Sequence, residues 1–113
     1  MDDDPRIHKL LQMELDDLGY RTSSFFSGTE LLDRLTEDPP DLILLDLLMP
    51  GISGIDCLKE IRRTDYQGAV LIFTALSDNN KRQEALDEGA SAYVLKPDLF
   101  RELPQLIKQH LRP

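Results

Sequence analysis

The sequence predicts an α/β protein with a doubly wound parallel sheet and helices on both of its faces. Three observations carry this. Helix-like and strand-like segments alternate along the chain. Two strand-like segments, 42–45 (Leu-Ile-Leu-Leu) and 69–73 (Ala-Val-Leu-Ile-Phe), are apolar without alternation, as strands covered on both faces are. The length of 113 residues, 41% of them apolar, suits one core and one domain over 1–113.

The elements follow in order. Ile7, Leu10, Leu11, Leu15 and Leu18 recur at helical spacing. Asp4 suits the cap of that helix, Pro5 its first position and Gly19 its end. Residues 20–26 are aromatic and rich in β-formers, and predict a strand. Ser27 and Glu30 have capping-box spacing and open a second helix through Leu35, which Pro39-Pro40 stops. After the strand at 42–45, a third helix over 53–63 turns Ile55, Leu58 and Ile61 inward, with Cys57 on the same side as a small buried hydrophobe. The strand at 69–73 leads to a fourth helix over 78–88, ended by Gly89. Residues 91–95 predict a short strand, and Leu103, Leu106, Ile107 and Leu111 mark a last amphipathic helix. Right-handed crossovers put every strand-to-helix loop along one edge of the sheet, where such folds bind ligands.

Charge narrows the function. There are 13 basic against 21 acidic residues, net −8, which argues against direct nucleic-acid binding and against an anionic membrane surface. One cysteine excludes a disulfide scaffold and points to a reducing compartment, the cytoplasm. No apolar run approaches the roughly 20 residues of a membrane span, and the acidic opening Met-Asp-Asp-Asp is unlike a signal peptide. His8 and His110 sit at helical positions and read as surface or packing residues.

Four groups fall at the binding edge: Asp2 and Asp3 before the first helix, Asp46 after 42–45, Thr74 after 69–73, and Lys96 with Pro97 after the last strand. Clustered carboxylates repel, and a hard divalent cation holds them ionised. Mg²⁺ prefers few carboxylates, a backbone carbonyl and retained waters. A carboxylate there can act as a nucleophile toward phosphorus, with an ammonium (Lys96) and a hydroxyl (Thr74) neutralising the transferred oxygens. Each residue alone has a structural explanation, as a cap, a turn residue or a solvated tail. Together, in this order and on one edge, they point to chemistry.

This set resembles the receiver domain of two-component response regulators, a flavodoxin/CheY-like (βα)5 fold. The matching stretches are Asp2-Asp3-Asp4-Pro5, Asp46-Leu47-Leu48-Met49-Pro50-Gly51 with Gly54, Phe73-Thr74-Ala75, Gly89-Ala90-Ser91-Ala92-Tyr93 and Leu95-Lys96-Pro97. The resemblance implies that Asp46 is the phospho-acceptor. It also implies a Mg²⁺ site of Asp2, Asp3, Asp46 and the Leu48 carbonyl, with Thr74 as the switch hydroxyl. Lys96 would pair with the acceptor or its phosphate, the Lys96–Pro97 bond would be cis, and Tyr93 would be the aromatic that turns with the switch. The implied donor is a sensor histidine kinase or a histidine phosphotransfer protein. The implied recipient of the signal is a downstream effector or output domain. The only catalysis implied is self-directed phosphotransfer and autodephosphorylation.

The sequence also departs from that pattern. Only Met1 precedes Asp2, whereas receivers begin with a buried apolar strand that stands in the middle of the order 2-1-3-4-5. Its loss leaves a gap of about 9–10 Å, two strand spacings, with ladder groups to satisfy on both sides. Three outcomes stay open. The chain is shortened or its first codon misassigned; or residues 20–26 move beside 42–45; or a strand is supplied in trans, giving a dimer or strand-swapped oligomer. Leu48 and Leu76, which flank the phosphoryl group in this fold, would exclude an attacking water and slow autodephosphorylation. Asp98 stands where receivers usually carry an apolar residue, and would cap the last helix; Pro104 would delay or bend that helix.

The alternative reading is a pseudo-receiver, a protein-interaction module that is never phosphorylated. Two rivals lack their residues. An aspartyl phosphatase needs an acid at position 48, which is Leu, and a flavodoxin would not set three aspartates in its phosphate loop.

Overall fold

The structure, a computed structural model, describes residues 5–23, 25, 28–37, 39–47, 54–74 and 79–110. Five helices and three strands follow as α1 (Pro5–Asp17), α2 (Gly28–Glu37), β1 (Leu42–Asp46), α3 (Gly54–Arg63), β2 (Ala69–Thr74), α4 (Asn79–Asp87), β3 (Ala92–Leu95) and α5 (Lys96–His110). The strands form one parallel sheet in the order β1-β2-β3. Asp46 stands opposite Phe73, Phe73 opposite Val94 and Thr74 opposite Leu95.

Period-2 alternation along the strands divides the core into two layers. On one face Ile43 and Leu45 of β1 and Val70 and Ile72 of β2 pack with Leu31 and Leu35 of α2, with Ile55, Cys57, Leu58 and Ile61 of α3 and with Ala85 of α4. On the other, Phe73 of β2 and Val94 of β3 pack with Leu11 of α1 and with Leu99, Leu103 and Ile107 of α5. Helices therefore cover both faces, the doubly wound arrangement that the apolar runs predict. α1 and α4 end alike. Gly19 and Gly89 take φ of +87° and +108°, the left-handed turn that glycine enters without steric cost. The amides that follow bond back to the last turns, Tyr20 to the Leu15 carbonyl at 2.9 Å and Ala90 to the Ala85 carbonyl at 3.0 Å.

The edge opposite the site is tied by side chains. The Arg62 guanidinium donates to the Gly89 carbonyl through Nε (3.1 Å) and Nη2 (2.9 Å), and through Nη1 to the carbonyls of Tyr66 (3.2 Å) and Gly68 (3.0 Å). The Tyr66 hydroxyl donates to the Pro40 carbonyl at 2.7 Å. Together they fasten the end of α3 to the heads of β1, β2 and β3.

Three expectations are corrected. Residues 20–23 and 25 form no strand, and nothing from them joins β1. A strand needs a ladder partner; none is described there, and Tyr20 and Phe25 instead pack against the two core layers. The sheet therefore has three described strands, and among the described residues nothing from 20–26 stands beside 42–45. α5 starts directly at Lys96, so Pro104 does not delay it, and Asp98 lies in the first turn rather than at the cap. There its carboxylate faces the positive end of the helix and pairs with Arg101 Nη2 at 2.9 Å. The described residues also contain no cis peptide bond. Lys96 and Pro97 open α5, where a trans proline's fixed φ and missing N–H match what a first turn requires. Cys57 is buried, as the helical pattern predicts.

Burial pushes the Cys57 thiol up to about 11 from its usual 9.0. Burial also pushes the Tyr66 phenol up to about 12 from 10.0, against the pull of Arg62. Both groups are neutral when protonated, so the folded chain keeps protons that the unfolded chain releases. Their contribution to stability is complete below pH 9.0 and is lost as pH rises through about 11 to 12. Urea midpoints measured across that range should fall more steeply for the wild type than for a Cys57→Ala/Tyr66→Phe variant. Parallel curves would contradict this account.

Candidate functional site

The carboxyl edge of the sheet is built by three consecutive strand ends. β1 ends on Asp46, β2 on Thr74, and β3 hands over at Lys96 to α5. Asp46 is 1% exposed and Thr74 fully buried. Such a carboxylate needs opposite charge or hydrogen bonds to remain ionised. Lys96 Nζ supplies both, 3.0 Å from Asp46 Oδ2. The lysine is itself partly sheltered, and its Nζ lies 5.7 Å from the centre of the Phe73 ring.

Backbone contacts fix the position of the end of β1. The Leu47 amide donates to the Phe73 carbonyl at 3.2 Å, so pairing with β2 continues one residue past Asp46. The Gly54 amide then donates to the Leu47 carbonyl at 2.9 Å. A Cβ on Gly54 would lie 2.5 Å from both the Asp46 carbonyl oxygen and Leu47 Cα. Only glycine lets the first turn of α3 press this closely on the end of β1. Neither Gly54 nor Phe73 is assigned a role by the sequence, because both act through the approach of segments distant in the chain. A glycine at the start of a helical pattern was the available signal for the first.

Of the predicted site residues, the fold brings Asp46, Thr74 and Lys96 to one edge. Tyr93 stands apart, on β3, partly buried in a cleft with Asn79 and Arg82 of α4 and Asp98 and Glu102 of α5. Asp2, Asp3 and Leu48 lie outside the described residues. Among the described residues no three acidic, histidine or cysteine side chains gather as a metal cluster. The predicted donor set, three carboxylates and one carbonyl, is of the hard-oxygen type that suits Mg²⁺. Asp46 is its described member.

With helices on both faces and an acid, a hydroxyl and an ammonium at the carboxyl edge, the chain is a flavodoxin/CheY-like α/β protein. A model of the family described as response regulator receiver domain matches residues 1–108. The chain is 38% identical over 112 residues to the uncharacterized transcriptional regulatory protein YkoG of Bacillus subtilis, covering 99% of this chain and 49% of that protein. The same figures hold for the transcriptional regulatory protein AfsQ1 of Streptomyces coelicolor, 38% over 112 residues with 99% and 49% coverage. The BeF3-activated N-terminal receiver domain of Klebsiella pneumoniae RstA shares the fold with a TM-score of 0.91 and 28% identity, over 99% of this chain and 95% of that one.

The chain belongs to the response regulator receiver domain family, the receivers of two-component systems. It spans about half the length of the curated relatives it matches, 49% in each case. As a family, receiver domains bind Mg²⁺ in the active site and interact with histidine kinases and output domains. No described helix is long and apolar enough to cross a membrane.

Removing one member of a buried pair leaves the other charge uncompensated. Lys96→Met should cost about 1–3 kcal/mol at neutral pH, below the range for fully buried pairs because Lys96 is partly exposed. Urea unfolding of Lys96→Met, Asp46→Asn and the double variant measures it. The double variant should recover part of the loss; simple additivity would show that the two groups do not interact.

Proposed function

We propose that this chain is a phosphorylation switch whose acceptor is Asp46. The observation that carries the reading is the buried Asp46 carboxylate held 3.0 Å from Lys96 at the carboxyl edge of the sheet. A carboxylate oxygen of Asp46 attacks the phosphorus of a phosphohistidine on a sensor kinase or phosphotransfer protein. The P–N bond breaks, the imidazole leaves and takes up a proton, and an acyl phosphate forms. Lys96 stays beside the acceptor and neutralises one transferred oxygen. Thr74, one strand across, offers its hydroxyl to another.

Mg²⁺ would be held by Asp2, Asp3, Asp46 and the Leu48 carbonyl. When bound, it would offset the carboxylate charges and that of a phosphoryl oxygen. Movement of Thr74 would free Tyr93 to turn in the cleft between α4 and α5, changing the face offered to an effector or output domain. The reading places the chain in the cytoplasm as one receiver domain over 1–113. Its only catalysis is its own phosphorylation and dephosphorylation.

Intact mass spectrometry after incubation with acetyl phosphate and Mg²⁺ tests the switch. The wild type should gain one phosphoryl group, and Asp46→Asn should gain none. No gain in a folded wild type would favour the pseudo-receiver reading, and omission of Mg²⁺ should abolish the gain. The lifetime follows from Leu48 and Leu76, which we place beside the phosphoryl group as a barrier to water. A Leu48→Asn/Leu76→Glu variant should lose phosphate several-fold faster; equal half-lives would rule out the barrier.

A further inference from the structure

We propose that Phe73 is a positioning residue for the Asp46–Lys96 pair, a seat over which the lysine side chain crosses the sheet to reach the carboxylate. β2 lies between β1 and β3, so Asp46 and Lys96 start about 9–10 Å apart, two strand spacings. Asp46 stands opposite Phe73, and Phe73 opposite Val94, two residues before Lys96. Asp46 and Phe73 are paired directly across the ladder and so share a face of the sheet, while the lysine stem sets out from the first residue of α5, one residue beyond β3. It must pass over the end of β2, where the Phe73 side chain stands. Nζ comes to rest 5.7 Å from the ring centre and 3.0 Å from Asp46 Oδ2.

The ring is fully buried and packed with Val94, Leu99 and Leu103, which hold it in place. An aliphatic residue could fill much of that volume. What it lacks is the negative face of an aromatic ring, which attracts a cation and shields it from water on one side. Phe73 thus acts through Lys96. Packing alone explains a large apolar residue here; the location of the ammonium over the ring is what assigns it the further role. The effect on rate rests on the phosphoacceptor reading, whereas the effect on Lys96 rests on the ion pair alone.

The test uses the full chain with 4-fluoro-, 3,5-difluoro- and pentafluorophenylalanine at position 73, beside Phe73→Leu. Fluorine drains the ring face of negative charge while nearly keeping its shape. Two quantities are read: the NMR shift of the Lys96 ε-methylene protons, and the rate of phosphoryl uptake from acetyl phosphate with Mg²⁺. In the wild type those protons should lie upfield because of the ring, and should move stepwise toward their solvent-exposed position along the fluorine series. Uptake should slow in the same order, by about two- to fivefold at pentafluorophenylalanine. A shift that is flat along the fluorine series overturns the proposal, even if Phe73→Leu alone differs, because that pattern is loss of packing. A stepwise shift with a flat uptake rate overturns the role in phosphorylation. A wild type that takes up no phosphoryl group overturns the phosphoacceptor reading instead, and the Lys96 shift then decides the seat by itself.

Discussion

A carboxylate placed at the end of a buried strand dictates much of its surroundings. Asp46 is 1% exposed, so solvent cannot stabilise its charge and the fold must. The ammonium that does so comes from the far side of β2, which limits where Lys96 can stand. It must leave β3 one residue beyond the ladder and begin α5 there. The trans Lys96–Pro97 start of α5 meets that requirement without an intervening loop. On the other flank, Gly54 lets α3 come down close enough to bond the Leu47 carbonyl and close the loop after β1.

The rest of the molecule divides into a firmly held part and a loosely held one. α3 buries Gly54, Ile55, Cys57, Leu58 and Ile61, and Arg62 ties its end to three carbonyls. α4 buries only Ala85, with Leu86 half-buried and the rest of the helix polar. Burial sets the free energy of local opening, so α4 opens at lower cost than α3. It forms one wall of the cleft that holds Tyr93. The proposed acceptor thus rests on the firmly held part of the fold, while the proposed partner face includes the more loosely held part. A switch needs that division, because a signal must start from fixed geometry and end in a surface that can change.

Much of this is legible in the sequence, for physical reasons that can be stated. β1 and β2 appear as unbroken apolar runs because helices cover both faces, and the acid and hydroxyl that end them stand out by contrast. The helices show through apolar spacing and through Gly19 and Gly89, whose positive φ the turns require. The strand at 20–26 is misread because aromatic content reports burial, and Tyr20 and Phe25 are packed without belonging to a ladder. A local pattern cannot reveal whether a partner strand lies alongside. The same limit hides Gly54 and Phe73. Their roles depend on which residues stand opposite across the sheet, and register is set by the whole fold. Pro104 misleads differently. Its penalty falls inside a helix whose start is already fixed by Lys96, Pro97 and Asp98.

The central claim is that the carboxyl edge of the sheet, at Asp46, Thr74 and Lys96, receives a phosphoryl group. Backbone amide NMR of the full chain, titrated with beryllofluoride in the presence of Mg²⁺, addresses it most directly, because this phosphoryl mimic needs a site but no donor. The account predicts saturable changes centred on Asp46, Thr74 and Lys96, extending to Tyr93 and α4, and absent in Asp46→Asn. A folded chain whose spectrum does not change, or changes only away from this edge, would contradict it.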